Sequence, residues 1–197
     1  MSKILPDIAR SAVLSMDLQT AIVSIYAKSQ PDFLPRVANV LKDAKERAMT
    51  VIHVQVGFRP GFPEVSERNL LFGAIKKNPQ WQQVFQGPAG AIHPEVAPVG
   101  DEIVVTKHRV NAFHGTELEM ILRAKEIDTL VLFGIATSGV VLSTLLDASD
   151  ADYRLVVVKD CCMDNDADVH ACLIEKVFPR RATVLTAEEF REAVGAE

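Results

Sequence analysis

The 197-residue sequence contains no CxxC pair, and its only cysteines, Cys161, Cys162 and Cys172, fall in the last fifth of the chain. An odd count without regular spacing makes a poor disulfide framework, and no CxxC pair is there to hold zinc. Free thiols in a reducing compartment are expected instead. No Lys/Arg-rich run occurs, and 21 basic against 26 acidic residues give a formal charge of −5 and a pI near 5.6. A nucleic-acid partner is therefore not expected. GxGxxG after a strand, the Walker phosphate loop, the GxSxG elbow and HExxH are all missing, which removes the usual fingerprints of nucleotide binding, serine hydrolysis and zinc proteolysis. No internal repeat or low-complexity segment is present.

Long apolar runs are equally scarce. The opening MSKILPDIARSAVLSMD is interrupted by Pro6, Asp7 and Arg10 where a signal peptide needs an unbroken apolar core. Residues 129–146 carry no charge and approach the length of a membrane span. They read as LVLFG, IATSG and VVLSTLL, the pattern of a buried strand, a small-residue turn and a helix. No membrane partner and a cytoplasmic location are expected.

What is present is a globular composition. Hydrophobic residues make up 48% and charged residues 24%, enough apolar surface to offset chain entropy. The length suits one domain spanning 1–197. Apolar, β-branched runs predict strands at 12–16, 51–56, 103–106, 129–133, 155–158 and 183–185. Helical spacing predicts helices at 33–48, 117–126 with Thr116 as N-cap, 139–148, 167–177 and 187–193. Strands alternating with helices imply parallel pairing and right-handed crossovers. The fold class is α/β: a three-layer α/β/α sandwich, Rossmann-like, around a six-stranded parallel sheet. Between residues 57 and 100 lie six of the ten prolines, marking a long excursion with one short helix near 70–76. Such a segment can shape a pocket. Trp81 and Phe85 within it are read as anchors of the excursion, with pocket lining as the alternative.

In an open parallel sheet ligands bind beyond the carboxyl ends of the strands. That rule gathers Asp17, Lys107, the turn at 134–140 and Asp160, which the pattern places just past the fifth strand. An Asp and a Lys at neighbouring strand ends have coupled protonation, and such a pair can hold and release a proton. His53, inside a strand, reads as a satisfied core histidine. Asp164, Asp166 and Asp168 read as a helix-start cluster, since the calcium-loop pattern is incomplete.

The residues MDLQ around Asp17, KHRVNAFHGTEL from Lys107, LVLFGIATSGVVLST from Leu130 and the tail VFPRRATVLTAEEF together resemble the isochorismatase-like hydrolase family, also called the cysteine hydrolase superfamily. The resemblance runs from about residue 12 to 190 and implies the same six-stranded fold. Amidase-type members use an Asp–Lys–Cys triad, which carries over to Asp17 and Lys107. The nucleophilic cysteine falls six residues after the glycine of the G-I-A-T block, where this sequence has Val140. The family's cis peptide would map to Ala136–Thr137. The metal ligands of the nicotinamidase branch are not reproduced around His53, so no metal and no cofactor are expected.

The isochorismatase branch needs no cysteine, since an aspartic acid protonates a vinyl ether and water captures the cation. The resemblance thus implies acid-driven hydrolysis of a small molecule by Asp17 and Lys107. Gln19, Arg59, Arg109, Phe113, Ala136 and Thr137 are expected to contact substrate, the arginines by pairing with a carboxylate. A family member that has lost catalysis and serves as a binding or assembly module is the alternative. A homo-oligomer, dimer or tetramer, is expected in either case.

Overall fold

The computed structural model describes residues 7–195. Pro6, read above as breaking an N-terminal apolar run, lies outside them. Six strands form one sheet: β1 (Ser11–Met16), β2 (Thr50–Val56), β3 (Ile103–Lys107), β4 (Thr129–Ile135), β5 (Arg154–Met163) and β6 (Thr183–Leu185). Their order is β3-β2-β1-β4-β5-β6 and every pairing is parallel. The chain therefore winds outward from β1 in one direction, then restarts at β4 on its other side. The reversal lies between β1 and β4, and there the crossovers leave a crevice above the strand ends.

Nine α-helices are found among the described residues: α1 (Thr20–Tyr26), α2 (Phe33–Glu46), α3 (Leu70–Lys77), α4 (Pro79–Gln83), α5 (Gly87–Gly90), α6 (Leu118–Ala124), α7 (Leu142–Asp150), α8 (Ala167–Cys172) and α9 (Ala187–Gly195). α2 shows why they pack as they do: Phe33, Val37, Val40, Leu41 and Ala44 recur on one stripe and are all buried. β1 and β4 are buried at every residue, as central parallel strands covered on both faces must be. The uncharged stretch at 129–146 resolves into β4, a π-helical turn (Thr137–Val141) and the start of α7. Among the described residues no helix is long and apolar enough to cross a membrane.

Three departures from the sequence reading matter. The fifth strand runs on to Met163, past a register shift opposite Leu132 and Gly134, so Asp160, Cys161 and Cys162 lie inside β5 and not after it. Three consecutive polar or small residues, Lys159 to Cys161, hid that continuation. The predicted helix at 167–177 changes at Leu173 into a π-helical turn (Leu173–Val177). Finally, α1, α4 and α5 escaped notice because each is under two full turns long and so carries little periodicity.

Candidate active site

Asp17 leaves β1 with φ 56, in the left-handed region that aspartate tolerates better than most side chains. Its backbone N–H still donates to the Val54 carbonyl at 2.8 Å, so the turn is held against β2. Lys107 ends β3, two strands away, in register with Val56. Only a long side chain bridges that gap, since neighbouring strands lie nearly 5 Å apart. The Lys107 Nζ reaches Asp17 Oδ2 at 2.8 Å and also donates to the Arg109 carbonyl at 3.1 Å. Both residues are buried, at 6% and 1% exposure.

Two consequences follow for Asp17. Burial pushes its carboxyl above the ordinary range, and the nearby Lys107 charge and hydrogen bond only partly offset this. Its second oxygen, Oδ1, is buried without a hydrogen-bond partner among the protein atoms. A protonated carboxyl has one donor to give, and here one oxygen is uncommitted.

Asp17, Lys107, Ala136 and Val140 line one cavity of about 700 Å³. β4 brings the last two there through a turn that depends on Gly134 and on a cis peptide joining Ile135 to Ala136. The cis bond therefore sits one residue earlier than the resemblance implied. The turn is fixed from the residue after β5 and from α8: the Ser138 N–H donates to Asp164 Oδ2 at 2.7 Å, and the Thr137 hydroxyl lies 2.8 Å from His170 Nδ1. Asp166 caps α8 through the N–H groups of Asp168 and Val169. The acidic run thus does start a helix, and Asp164 additionally clamps the turn.

The excursion supplies much of the remaining wall through α3, Trp81, Val84 and Phe85, while α1 contributes Ile22, Ile25 and Tyr26. Trp81 and Phe85 accordingly line the cavity, the reading placed second above. Burial and the Asp164 charge push the Tyr26 phenol up.

The other residues expected at substrate do not line this cavity. Gln19 is fully buried and spans three backbone groups, donating to the Val56 and Gly90 carbonyls and accepting from the Val56 N–H. It ties the excursion to β2. Arg59 pairs with Glu64, and Arg109 donates to the Glu64 and His108 carbonyls. Phe113 packs beside Tyr153. Thr137 is fully buried and committed to His170. Asp160 accepts from the Ala187 N–H and pairs with Arg36, which makes it a strut between β5, α9 and α2.

Among the described residues no cysteine lines the cavity. Cys161 and Cys162 are buried in β5, and burial pushes the Cys162 thiol up to about 12 and that of Cys161 up further. Among the described residues no group of three or more His, Cys, Asp or Glu side chains could hold a metal ion. His53 does not fit a metal-ligand role: it is buried in β2 with Nε2 2.9 Å from Glu102, and its Nδ1 has no partner.

Similarities to known proteins accompany this geometry. An isochorismatase domain model matches residues 11–189. The uncharacterized isochorismatase family protein YecD of Escherichia coli O157:H7 is 38% identical over 189 residues, covering 93% of this chain and 96% of its own. Maleamate amidohydrolase of Pseudomonas putida KT2440 is 27% identical over 166 residues, covering 84% and 76% respectively. Among solved structures, an isochorismatase family protein from Burkholderia thailandensis superimposes with a TM-score of 0.77 at 27% identity, covering 95% of this chain and 97% of that one.

Proposed function

This chain belongs to the isochorismatase family and is a hydrolase that acts on small molecules, and we propose that it works by acid catalysis from Asp17, with Lys107 as electrostatic partner and no cysteine nucleophile. The observation that carries this reading is Asp17 on the cavity lining, a carboxyl whose burial favours the protonated form, held by Lys107 at Oδ2 and without a partner at Oδ1. Such a group can donate a proton to a bound molecule, whereas a thioester route needs a thiolate that the cavity does not contain.

For a vinyl ether the steps balance as follows. The Asp17 proton is transferred to the terminal enol carbon, and the C=C electron pair forms the new C–H bond. An oxygen lone pair stabilises the cation as an oxocarbenium. Water adds to the oxygen-bearing oxocarbenium carbon and returns one proton to the Asp17 carboxylate, and the resulting hemiketal or hemiacetal collapses to a carbonyl compound and an alcohol. Lys107 stabilises the carboxylate that exists between the two transfers. Val140, standing where amidase relatives carry the cysteine, presents an apolar wall and leaves room for that water.

Hydrolysis of isochorismate or of a simple alkyl vinyl ether by the purified protein tests the proposal. Asp17→Asn is expected to lower kcat by at least about a hundredfold, the usual scale for a lost general acid. Amide hydrolysis that disappears in Cys161→Ser or Cys162→Ser, with no vinyl ether cleavage, would overturn it.

A further inference from the structure

We propose that the protein carries a second ligand site, a cavity of about 620 Å³ at the ends of β2 and β3, and that this site takes a small aryl carboxylate. Its occupant is independent of how Asp17 works.

The pleat sets this cavity apart from the one already described. Side chains alternate between the two faces of a strand. Val56 and Lys107 are register partners, and Lys107 turns to Asp17. Gln55 and Thr106, the register partners one residue earlier, therefore point to the other face, where the Gln55 amide donates to the Thr106 hydroxyl at 3.1 Å. His108 follows Thr106 by two residues and joins both on the lining of the second cavity. The excursion closes it through α5, and Gln19 fixes the arrangement. One buried amide bonds the Val56 backbone and the Gly90 carbonyl, so β2 and α5 are tied to each other at the cavity wall. Val56 and Phe85 line both cavities and form the partition between them.

The polar groups suit an anion. No acidic side chain is on the lining, whereas two basic ones are, Arg59 and His108. Arg59 gives only Nη1 to Glu64; among the described residues its Nε and Nη2 make no hydrogen bond. Those two atoms share one edge of the guanidinium, the fork that meets a carboxylate with two parallel N–H groups. Glu64 does not reverse the local sign, because Arg109 Nη2 also lies against it, 2.8 Å from its carbonyl, and two guanidiniums flank one carboxylate. Thr106 accepts from Gln55 and keeps its own hydroxyl proton to donate. His108 Nδ1 lies 2.6 Å from the Gly57 carbonyl, which only accepts, so the ring is fixed with its proton there and Nε2 left to the cavity.

Phe58 and Phe85 set the body of the ligand. Their rings meet edge to face with centroids 5.7 Å apart, and Phe58 is anchored from behind by stacking on Phe62. A flat ring seated beside them gains aromatic contact in addition to buried area. The volume lies in the range of small-molecule sites. A charged fork at one end and two phenyl rings at the other together select an aromatic acid over either part alone.

Benzoate is the probe, with benzamide as its uncharged match and acetate as its ringless one. The reporter is the NMR signal of the His108 ring in histidine-labelled protein, one of five histidines, assigned by its loss in His108→Gln. Benzoate is expected to shift that signal saturably, with benzamide and acetate each at least about tenfold weaker. Arg59→Met is expected to weaken benzoate by at least about tenfold. Glu64→Gln, which releases Arg59 from its ion pair, is expected to tighten benzoate about twofold to fivefold. A merely structural role for the Arg59–Glu64 pair would make both variants weaken binding, and that result overturns the proposal. Lys107→Met removes the cation of the other cavity and should leave the His108 response within about twofold of wild type. No saturable His108 shift, benzamide binding as tightly as benzoate, or a response lost in Lys107→Met but kept in Arg59→Met would each overturn the proposal as well. The reporter needs no turnover, so failure of vinyl ether cleavage leaves this site standing, and failure here leaves the catalytic reading standing.

Discussion

Gly134 lies against Met16 so closely that a Cβ on the glycine would stand 2.0 Å from the Met16 carbonyl oxygen. The two are register partners in β4 and β1, one residue before Asp17 and at the start of the turn that carries Ala136 and Val140. The two halves of the site are joined at this contact, and Gly134 also has φ 143, which L side chains rarely adopt. Gly134→Ala is expected to destabilise the protein by about 3 kcal/mol or more, since backbone cannot retreat as a flexible side chain can. Gly139→Ala supplies the control: its Cβ would meet Ala136 and Val110 only at ordinary contact distance, so its urea midpoint should stay near wild type.

The protonation of Asp17 gives the pH dependence its sign. Its folded-state pKa is raised, chiefly by burial, and the proposed mechanism uses the protonated form. Vinyl ether hydrolysis should therefore be constant at low pH and fall as pH rises through that raised pKa, losing about tenfold per unit beyond it. Lys107 acts to lower this pKa, so Lys107→Met should move the descending limb of the kcat profile to higher pH. Stability shares the sign: the folded state holds the Asp17 proton more tightly than the unfolded chain does. That contribution is complete below the ordinary aspartate range and is lost as pH rises through the folded pKa. Urea titrations of wild type and Asp17→Asn across that window measure it, and the variant should lose this part of the slope.

The strands, their parallel pairing and the Asp17, Lys107 and 134–140 cluster were legible because buried β-branched runs and strand-end rules are local signals. The side chains that shape the cavity were not. Arg109 follows Lys107 by two residues and has the right chemistry for a carboxylate, yet its guanidinium is consumed by the Glu64 and His108 carbonyls, a long-range contact no spacing reveals. Gln19 was placed near substrate, whereas it holds the excursion at Gly90 across 71 residues. Trp81 carries the opposite lesson, since a lone aromatic in an irregular segment has no periodicity to show which way it faces.

His170 is the contact to the cavity turn that the sequence concealed most thoroughly, because nothing near α8 hints at a partner 33 residues earlier. It bonds the Thr137 hydroxyl, and burial pushes its imidazole below the usual range, with the Asp164 charge opposing. As a positioning residue it should affect geometry without changing the acid. His170→Ala is expected to lower thermal stability by about 1–2 kcal/mol through the orphaned Thr137 hydroxyl. It should also lower kcat while leaving the pH of the descending limb in place. A shift of that limb would instead put His170 in the proton transfer itself.

On the proposed mechanism, position 140 decides between acid-driven and thiol-driven hydrolysis. Val140 shares the cavity with Asp17 and Lys107, while Cys161 and Cys162 are shut away in β5. Native-state alkylation with iodoacetamide should therefore modify wild type only at Cys172, the exposed thiol. Val140→Cys is nearly conservative in volume and should fold normally. It would place a thiol beside Lys107, whose charge favours the thiolate. Mass spectrometry should then find a second modified thiol, at position 140. A gain of amide hydrolysis in that variant, together with loss of vinyl ether cleavage as the thiol takes the place of the attacking water, would show one Asp–Lys pair serving either reaction according to a single side chain. An unreactive thiol in the Val140→Cys variant would mean that this position does not face the carboxyl, and the water-attack step drawn from it would fail.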